Sequence, residues 1–231
     1  YKLSQTQVAR AGQLLAGSYN ALGRTGVYET DVRIADIANV TAGLDASSSI
    51  LAGRTGTLWL DAGHLNDQKL GGLDLATSRS IAVDSDLKLA NGGQVKLIAP
   101  IVDINADITA RGGSVTVTNI LKPDLAAASA VVLAAPGGHA QLTLHTGATI
   151  DTRGLWTNGL TAPNNLSGLA YVNGGNVIFD STGSVTLASG STIDVSSGAA
   201  ILPTGKTRGG KGGNVTLIAD DSSVGVASTG G

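Results

Sequence analysis

A glycine pair followed by residues that alternate apolar and polar recurs along this chain. It stands as Gly92-Gly93-Gln94-Val95-Lys96-Leu97, Gly112-Gly113-Ser114-Val115-Thr116-Val117 and Gly137-Gly138-His139-Ala140-Gln141-Leu142. It returns as Gly174-Gly175-Asn176-Val177-Ile178-Phe179 and Gly212-Gly213-Asn214-Val215-Thr216-Leu217. Gly71-Gly72 precedes these, and Thr55-Gly56-Thr57-Leu58-Trp59-Leu60 reads as a degenerate earlier copy. From Gly71 onward the pairs are 21, 20, 25, 37 and 38 residues apart. The short intervals define the unit, and the long ones read as that unit with insertions.

A period of 2 identifies strands with one dry and one wet face. Val95 and Leu97, Val115 and Val117, Val177 and Phe179, and Val215 and Leu217 fall on the dry face, with Ala140 and Leu142 in the same frame. Gly71-Gly72 breaks the frame, since Leu73 and Leu75 sit one position early, which predicts a register shift or bulge there. Two further short strands fit before each following glycine pair, as in Ser80–Val83 and Asp86–Leu89, Val102–Ile104 and Asp107–Thr109, or Ser184–Leu187 and Ser191–Val195. Three strands in about 20 residues cannot bury an apolar face alone, but stacked on copies of themselves they can. The expected fold is all-β, a parallel β-helix with three short strands per coil and a rise of about 4.8 Å. Glycine suits the corners because positive φ costs it nothing.

Composition agrees. There are 33 Gly, 3% aromatic residues and one Phe, so the core is narrow and aliphatic. A charge sum of −2 gives no global field to hold nucleic acid or an acidic membrane surface. The absence of Cys excludes a disulfide framework, a zinc–thiolate site and a Cys nucleophile. No stretch reaches the roughly 18–20 apolar residues of a membrane-spanning helix, and no signal peptide is visible. Without an initiating Met, the chain is expected to be a piece of a longer protein or a processed form.

Residues 1–26 depart from the repeat and are expected to be a cap or an extended segment, with Ser4–Leu15 as a candidate short helix. Residues 27–231 are expected to form the repetitive shaft, with insertions near 121–135, 155–173 and 199–211. The first insertion is Ala-rich and is expected to cover a flank. The other two follow Thr149-Ile150-Asp151 and Thr192-Ile193-Asp194, so they leave the same corner of consecutive coils and lie side by side. Together they carry Trp156, Asn164, Asn165, Tyr171, Lys206, Arg208 and Lys211, a mixture suited to sugar or protein contacts. The alternative is surface decoration, with Trp156 packed down on the coil.

The runs Gly212–Ala219, Gly190–Gly198 and Gly92–Pro100 resemble the filamentous-haemagglutinin-type exoproteins of Gram-negative two-partner secretion. The resemblance covers roughly residues 50–220 and lies in the style of the repeat. It implies a right-handed helix, export by a dedicated outer-membrane transporter, an extracellular or cell-surface location, and use as an adhesin, fibre or toxin-delivery stalk. The implied partners are that transporter and a receptor or glycan on a host or neighbouring cell. Self-association through coil ends is a further expectation, because uncapped strand edges pair readily. The Asn-Pro-Asn motifs of the family's secretion domain are absent, so the chain corresponds to shaft, and no catalytic residue carries over.

An enzyme reading needs carboxylates converging on one outer strand column. The third-strand column reads Lys88, Thr109, Val132, Asp151 and Asp194, which makes Asp151 and Asp194 neighbours. Arg153, backbone N–H groups or a bridging calcium ion are the candidate partners; the alternative is two turn aspartates capping local amides. His139 and His145 are separated by roughly 20 Å of strand and cannot share a metal, and His64 stands in a polar loop. The run Thr207–Asn214 lacks the Gly-Lys-Ser/Thr ending of a phosphate loop, and no Gly-x-Ser-x-Gly occurs. Asn39, Asn165 and Asn214 head glycosylation-type triplets of the kind that chance supplies. The expectation is a non-enzymatic scaffold without cofactor or metal. A carbohydrate-active β-helix enzyme and a self-polymerising filament subunit are the alternatives.

Overall fold

The computed structural model describes residues 13–16, 18–20, 23–36, 56–122, 130–135, 137–160 and 170–222. The described chain is mostly strand. In order it forms β1 (Gln13–Ala16), β2 (Ser18–Asn20), β3 (Gly23–Gly26), β4 (Asp31–Ala35) and β5 (Thr57–Asp61), followed by helix α1 (Ala62–Gln68). Then come β6 (Gly72–Ala76), β7 (Ser80–Val83), β8 (Leu87–Lys88), β9 (Gln94–Ile98), β10 (Ile101–Ile104), β11 (Ile108–Thr109) and β12 (Ser114–Thr118). The remainder is β13 (Ile120–Leu121), β14 (Val131–Val132), β15 (Gln141–Leu144), β16 (Thr149–Asp151), β17 (Trp156–Asn158), β18 (Asn176–Asp180), β19 (Ser184–Leu187), β20 (Thr192–Asp194), β21 (Ala199–Ile201), β22 (Thr207–Gly209) and β23 (Val215–Ile218).

Three parallel sheets hold the core. Their orders are β1-β6-β9-β12-β18-β23, β5-β4-β7-β10-β15-β19 and β8-β11-β16-β20. From β6 onward the chain visits them in the same order on each pass: β6-β7-β8, β9-β10-β11, β12-β15-β16 and β18-β19-β20. The register keeps like residues in file. Leu73, Val95, Val115, Val177 and Val215 are successive partners, as are Leu75, Leu97, Val117, Phe179 and Leu217. The second sheet stacks Ile81, Val102 and Leu142, and the third stacks Leu87, Ile108 and Ile150. These files meet in one aliphatic cluster in which Phe179 is fully buried. The period-2 pattern and the burial therefore have one cause, alternate side chains turning into a shared interior.

The glycine pairs do two different things. Gly92 and Gly112 have φ of +76° and +64°, the left-handed corner that a side chain resists. At Gly113, Gly175 and Gly213 the second glycine is required by closeness, whereas Gly138 has open space and a φ of +98°. A Cβ on Gly113 would collide with the Gly93 carbonyl, one on Gly175 with that of Gly113, and one on Gly213 with that of Gly175.

Several sequence expectations are corrected. The Gly137-Gly138 copy does not open a new pass. Its strand β15 joins the second sheet between β10 and β19, with Leu142 opposite Val102 and Val185. The Thr55-Gly56 copy, β5, lies at the edge of the second sheet, paired with β4. Strands of both sheets alternate with the same period, so the pattern does not distinguish them. No bulge occurs after Gly71, since β6 pairs with β9 without interruption from Gly72–Gln94 to Ala76–Ile98; the glycine pair is displaced, not the strand. Val132 is absent from the third column, which reads Lys88, Thr109, Asp151, Asp194. It pairs antiparallel with Ile120 instead. Leu121 and Leu133 of that insertion cover Ala76 and Ile98, closing a corner of the core. Residues 13–15 of the expected N-terminal helix belong to strand β1, paired parallel with β6; positions 4–12 lie outside the described residues. His64 stands in helix α1, not in a loop.

The start of the repetitive region is closed by α1. Asp61 caps the helix through bonds from the Gly63 and His64 amides. Asn66 then acts as a strand: its Nδ2 donates to the Asp86 carbonyl at 2.8 Å, and its Oδ1 accepts from the Lys88 amide at 2.7 Å. One side chain thus satisfies both backbone groups at the edge of β8.

Candidate functional site

The insertions near 155–173 and 199–211 emerge together, as their shared address requires. β17 pairs parallel with β21, matching Trp156 to Ala199 and Asn158 to Ile201, and β21 pairs antiparallel with β22. This side sheet grows from the corner that follows Asp151 and Asp194. Gly154 and Gly198 sit there because the Val172 carbonyl and the Leu155 backbone lie against them.

Trp156 is 80% exposed. Its strand neighbours across the side sheet are Ala199 and Gly209, too small to cover an indole. The alternative of a tryptophan packed on the coil is therefore excluded. Tyr171 takes that role: its ring and Cβ lie against Gly92 and Gly112, and its carbonyl accepts from the Leu155 amide at 2.7 Å. Lys206, Arg208 and Lys211 are exposed on the second insertion. Asn164 and Asn165 lie outside the described residues.

Beside Trp156 a cleft of about 260 Å³ is lined by Arg111, Arg153, Gly154, Leu155, Ser196 and Ser197. Its floor is an ion-pair network on the third-sheet column. Asp151 Oδ2 accepts from Arg153 Nη2 at 2.7 Å and from Arg111 Nε at 3.2 Å, while Oδ1 accepts from Arg153 Nε and the Arg153 amide, both at 3.0 Å. Arg153 Nε also reaches Asp194 Oδ2 at 3.4 Å, and Asp194 Oδ1 accepts from the Ser196 amide at 3.0 Å. Both aspartates thus cap local amides, and Arg153 bridges them. Burial pushes the Asp151 carboxyl up, but the Arg153 hydrogen bonds and the Arg111 and Arg153 charges outweigh it and hold the group below its ordinary value. A carboxylate held ionised in this way does not act as a general acid at neutral pH.

Arg111, Ser196 and Ser197 were not among the residues singled out from sequence. A signal for Arg111 exists: Thr109 pairs with Asp151, so Arg111 and Arg153 both stand two residues beyond that pair.

Other polar groups do not join this cleft. His145 Nε2 lies 2.8 Å from Asp103 Oδ1, and Arg33 pairs with Asp84 at 2.6 Å, both on the outer face of the second sheet. His139 is exposed ahead of β15. Asp36, Asp61, His64, Asn66, Asp67, Ser85 and Asp86 line an acidic hollow of about 540 Å³ beside α1. Among the described residues no group of three or more His, Asp or Glu side chains is placed to hold a metal ion. No described helix is long and apolar enough to cross a membrane. No protein-family model, curated protein or solved structure matches the chain.

Proposed function

We propose that this chain is an adhesive shaft: a right-handed parallel β-helix from a secreted bacterial surface exoprotein of the filamentous-haemagglutinin type. One observation carries the reading. The chain passes through three parallel sheets in constant order, with an unbroken file from Leu73 through Val95, Val115 and Val177 to Val215. Right-handedness follows from the general rule for crossovers between parallel strands. Such a stack supplies rigidity and reach, and loops raised from one corner supply contact. Export through an outer-membrane transporter belongs to the same reading, as does binding to a receptor or glycan on another cell. Catalysis does not, because Asp151 is engaged by two arginines and Asp194 by Arg153 and an amide.

The test is retention of the labelled, purified chain on cultured epithelial and bacterial cells. Saturable retention, together with no new reducing ends from a panel of polysaccharides, is the expected result. Polysaccharide cleavage abolished by Asp151→Asn would replace this reading with the enzyme.

A second reading, the self-assembling filament subunit, is favoured by one feature. Val215, Leu217 and Ile218 of β23 are 42%, 48% and 38% exposed, and β23 is an edge strand among the described residues.

A further inference from the structure

The cleft beside Trp156 combines two kinds of recognition surface, an exposed indole and a pair of arginines. An indole exposed on a strand with only Ala199 and Gly209 across from it contributes nothing to packing. Its flat apolar face is suited to the C–H face of a sugar ring. Next to it stand Arg111 and Arg153, each with a side chain 44% exposed. Asp151 fixes both guanidinium groups through its Oδ2, so little side-chain freedom is lost when they engage a ligand. Nη1 of each arginine takes no part in these contacts, which leaves donors of the planar fork for another anion. Ser196 and Ser197 add hydroxyl groups on the same wall.

The two insertions carry charge of one sign. Residues 155–173 and 195–219 contain Lys206, Arg208 and Lys211 and no Asp or Glu. These cations lie on the insertion whose strand β21 pairs with the Trp156 strand, so this corner carries more cations than carboxylates and favours a polyanion over a neutral chain. The cleft, at about 260 Å³, lies below the roughly 300–1,000 Å³ of sites that enclose whole drug-sized ligands. It fits one ring of a longer polymer.

We infer that this cleft binds an acidic polysaccharide, seating one uronate ring on Trp156 with its carboxylate on Arg111 and Arg153. The inference rests on the adhesive reading above and names the ligand class of that surface. The hydroxyls of Ser196 and Ser197 meet ring hydroxyls, and Lys206, Arg208 and Lys211 attract flanking anionic units.

The experiment is calorimetric titration of the full chain with oligogalacturonate, a hyaluronan oligosaccharide, dextran sulfate and a neutral β-glucan oligosaccharide, at low and moderate salt. Uronate ligands are expected to bind, and the neutral glucan not. Trp156→Ala and Arg111→Gln each remove an exposed or half-exposed side chain and leave the Asp151–Arg153 pair in place. Each is expected to weaken uronate binding by about tenfold or more with an unchanged circular dichroism spectrum. Lys206→Gln/Arg208→Gln/Lys211→Gln is expected to flatten the salt dependence while leaving the Trp156 effect intact. Equal uronate binding by wild type and Trp156→Ala overturns the inference. So does binding of dextran sulfate alone, which reduces the surface to a basic patch. Cell retention without uronate binding overturns the inference and leaves the adhesive reading standing; loss of cell retention with uronate binding intact does the reverse.

Discussion

At the residue scale, two side-chain choices show how stacking governs chemistry. Gly113, Gly175 and Gly213 each sit against the backbone of the preceding pass, so a single methyl meets a carbonyl that cannot move without breaking a ladder. Gly113→Ala and Gly175→Ala are expected to cost about 1–3 kcal/mol each, measured by urea unfolding. Gly209→Ala, where a Cβ meets no atom within 4 Å, is expected to change stability by less than about 0.5 kcal/mol. Equal effects at the three positions would contradict the close-approach account. The aspartates give a pH test with opposite signs. Asp151 titrates below the ordinary 3.8, so its stabilisation is complete above 3.8 and is lost as pH falls through its lower folded value. Asp180 titrates above 3.8, because burial and the neighbouring Asp221 outweigh Lys122; its contribution is present below 3.8 and is lost as pH rises through the folded value. Asp151→Asn is therefore expected to destabilise at pH 7 by about 1–3 kcal/mol, with the deficit shrinking in acid. Asp180→Asn is expected to stabilise at pH 7 and to be neutral below pH 3.8. Thermal melts across pH 2–8 separate the two.

At the element scale, the ends of sheets decide what else is needed. The edge of β8 is closed by one amide side chain, Asn66, held by a short helix. Asn66→Ala leaves the Asp86 carbonyl and the Lys88 amide without their partner, an expected loss of about 1–3 kcal/mol. Hydrogen exchange at the Lys88 amide should accelerate while that at Val115 does not; protection unchanged at Lys88 would deny Asn66 this role. Helix α1 was illegible in the sequence because only Ala62 and Leu65 are buried on it. Its work is polar pairing, which leaves no apolar period. The files Val95–Val115–Val177 and the common corner of the two large insertions were legible, because alternation and the repeated Thr-Ile-Asp survive in the residues. The sheet that receives β15 was not, since inward positions of the first and second sheets read alike. The cleft was half legible: Trp156 stands out with Tyr171 as one of two aromatics on the insertions, whereas Arg111 comes from 40 residues before Asp151 and joins it only through register.

At the scale of the whole molecule, the two ends of the stack differ. One carries β1, β4 and α1 against the first repetitive pass, with β5 outside β4. The other presents β23, whose Val215 and Leu217 continue buried files into solvent. Identical positions in the register therefore have unequal energetic weight. Phe179→Ala, inside the file, is expected to cost about 3–5 kcal/mol, while Leu217→Ala, one step on, should cost less than about 0.5 kcal/mol. What Leu217 does not contribute to stability it contributes to surface: β23 is an apolar edge strand among the described residues, and such an edge is a template for another strand. Sedimentation of the chain is accordingly expected to rise with concentration, and Val215→Lys/Leu217→Lys, which puts two charges on that edge, should restore a single concentration-independent species without lowering the melting temperature. If the double variant associates as the wild type does, the exposed end of the stack is not the contact, and the filament reading loses the feature that favours it.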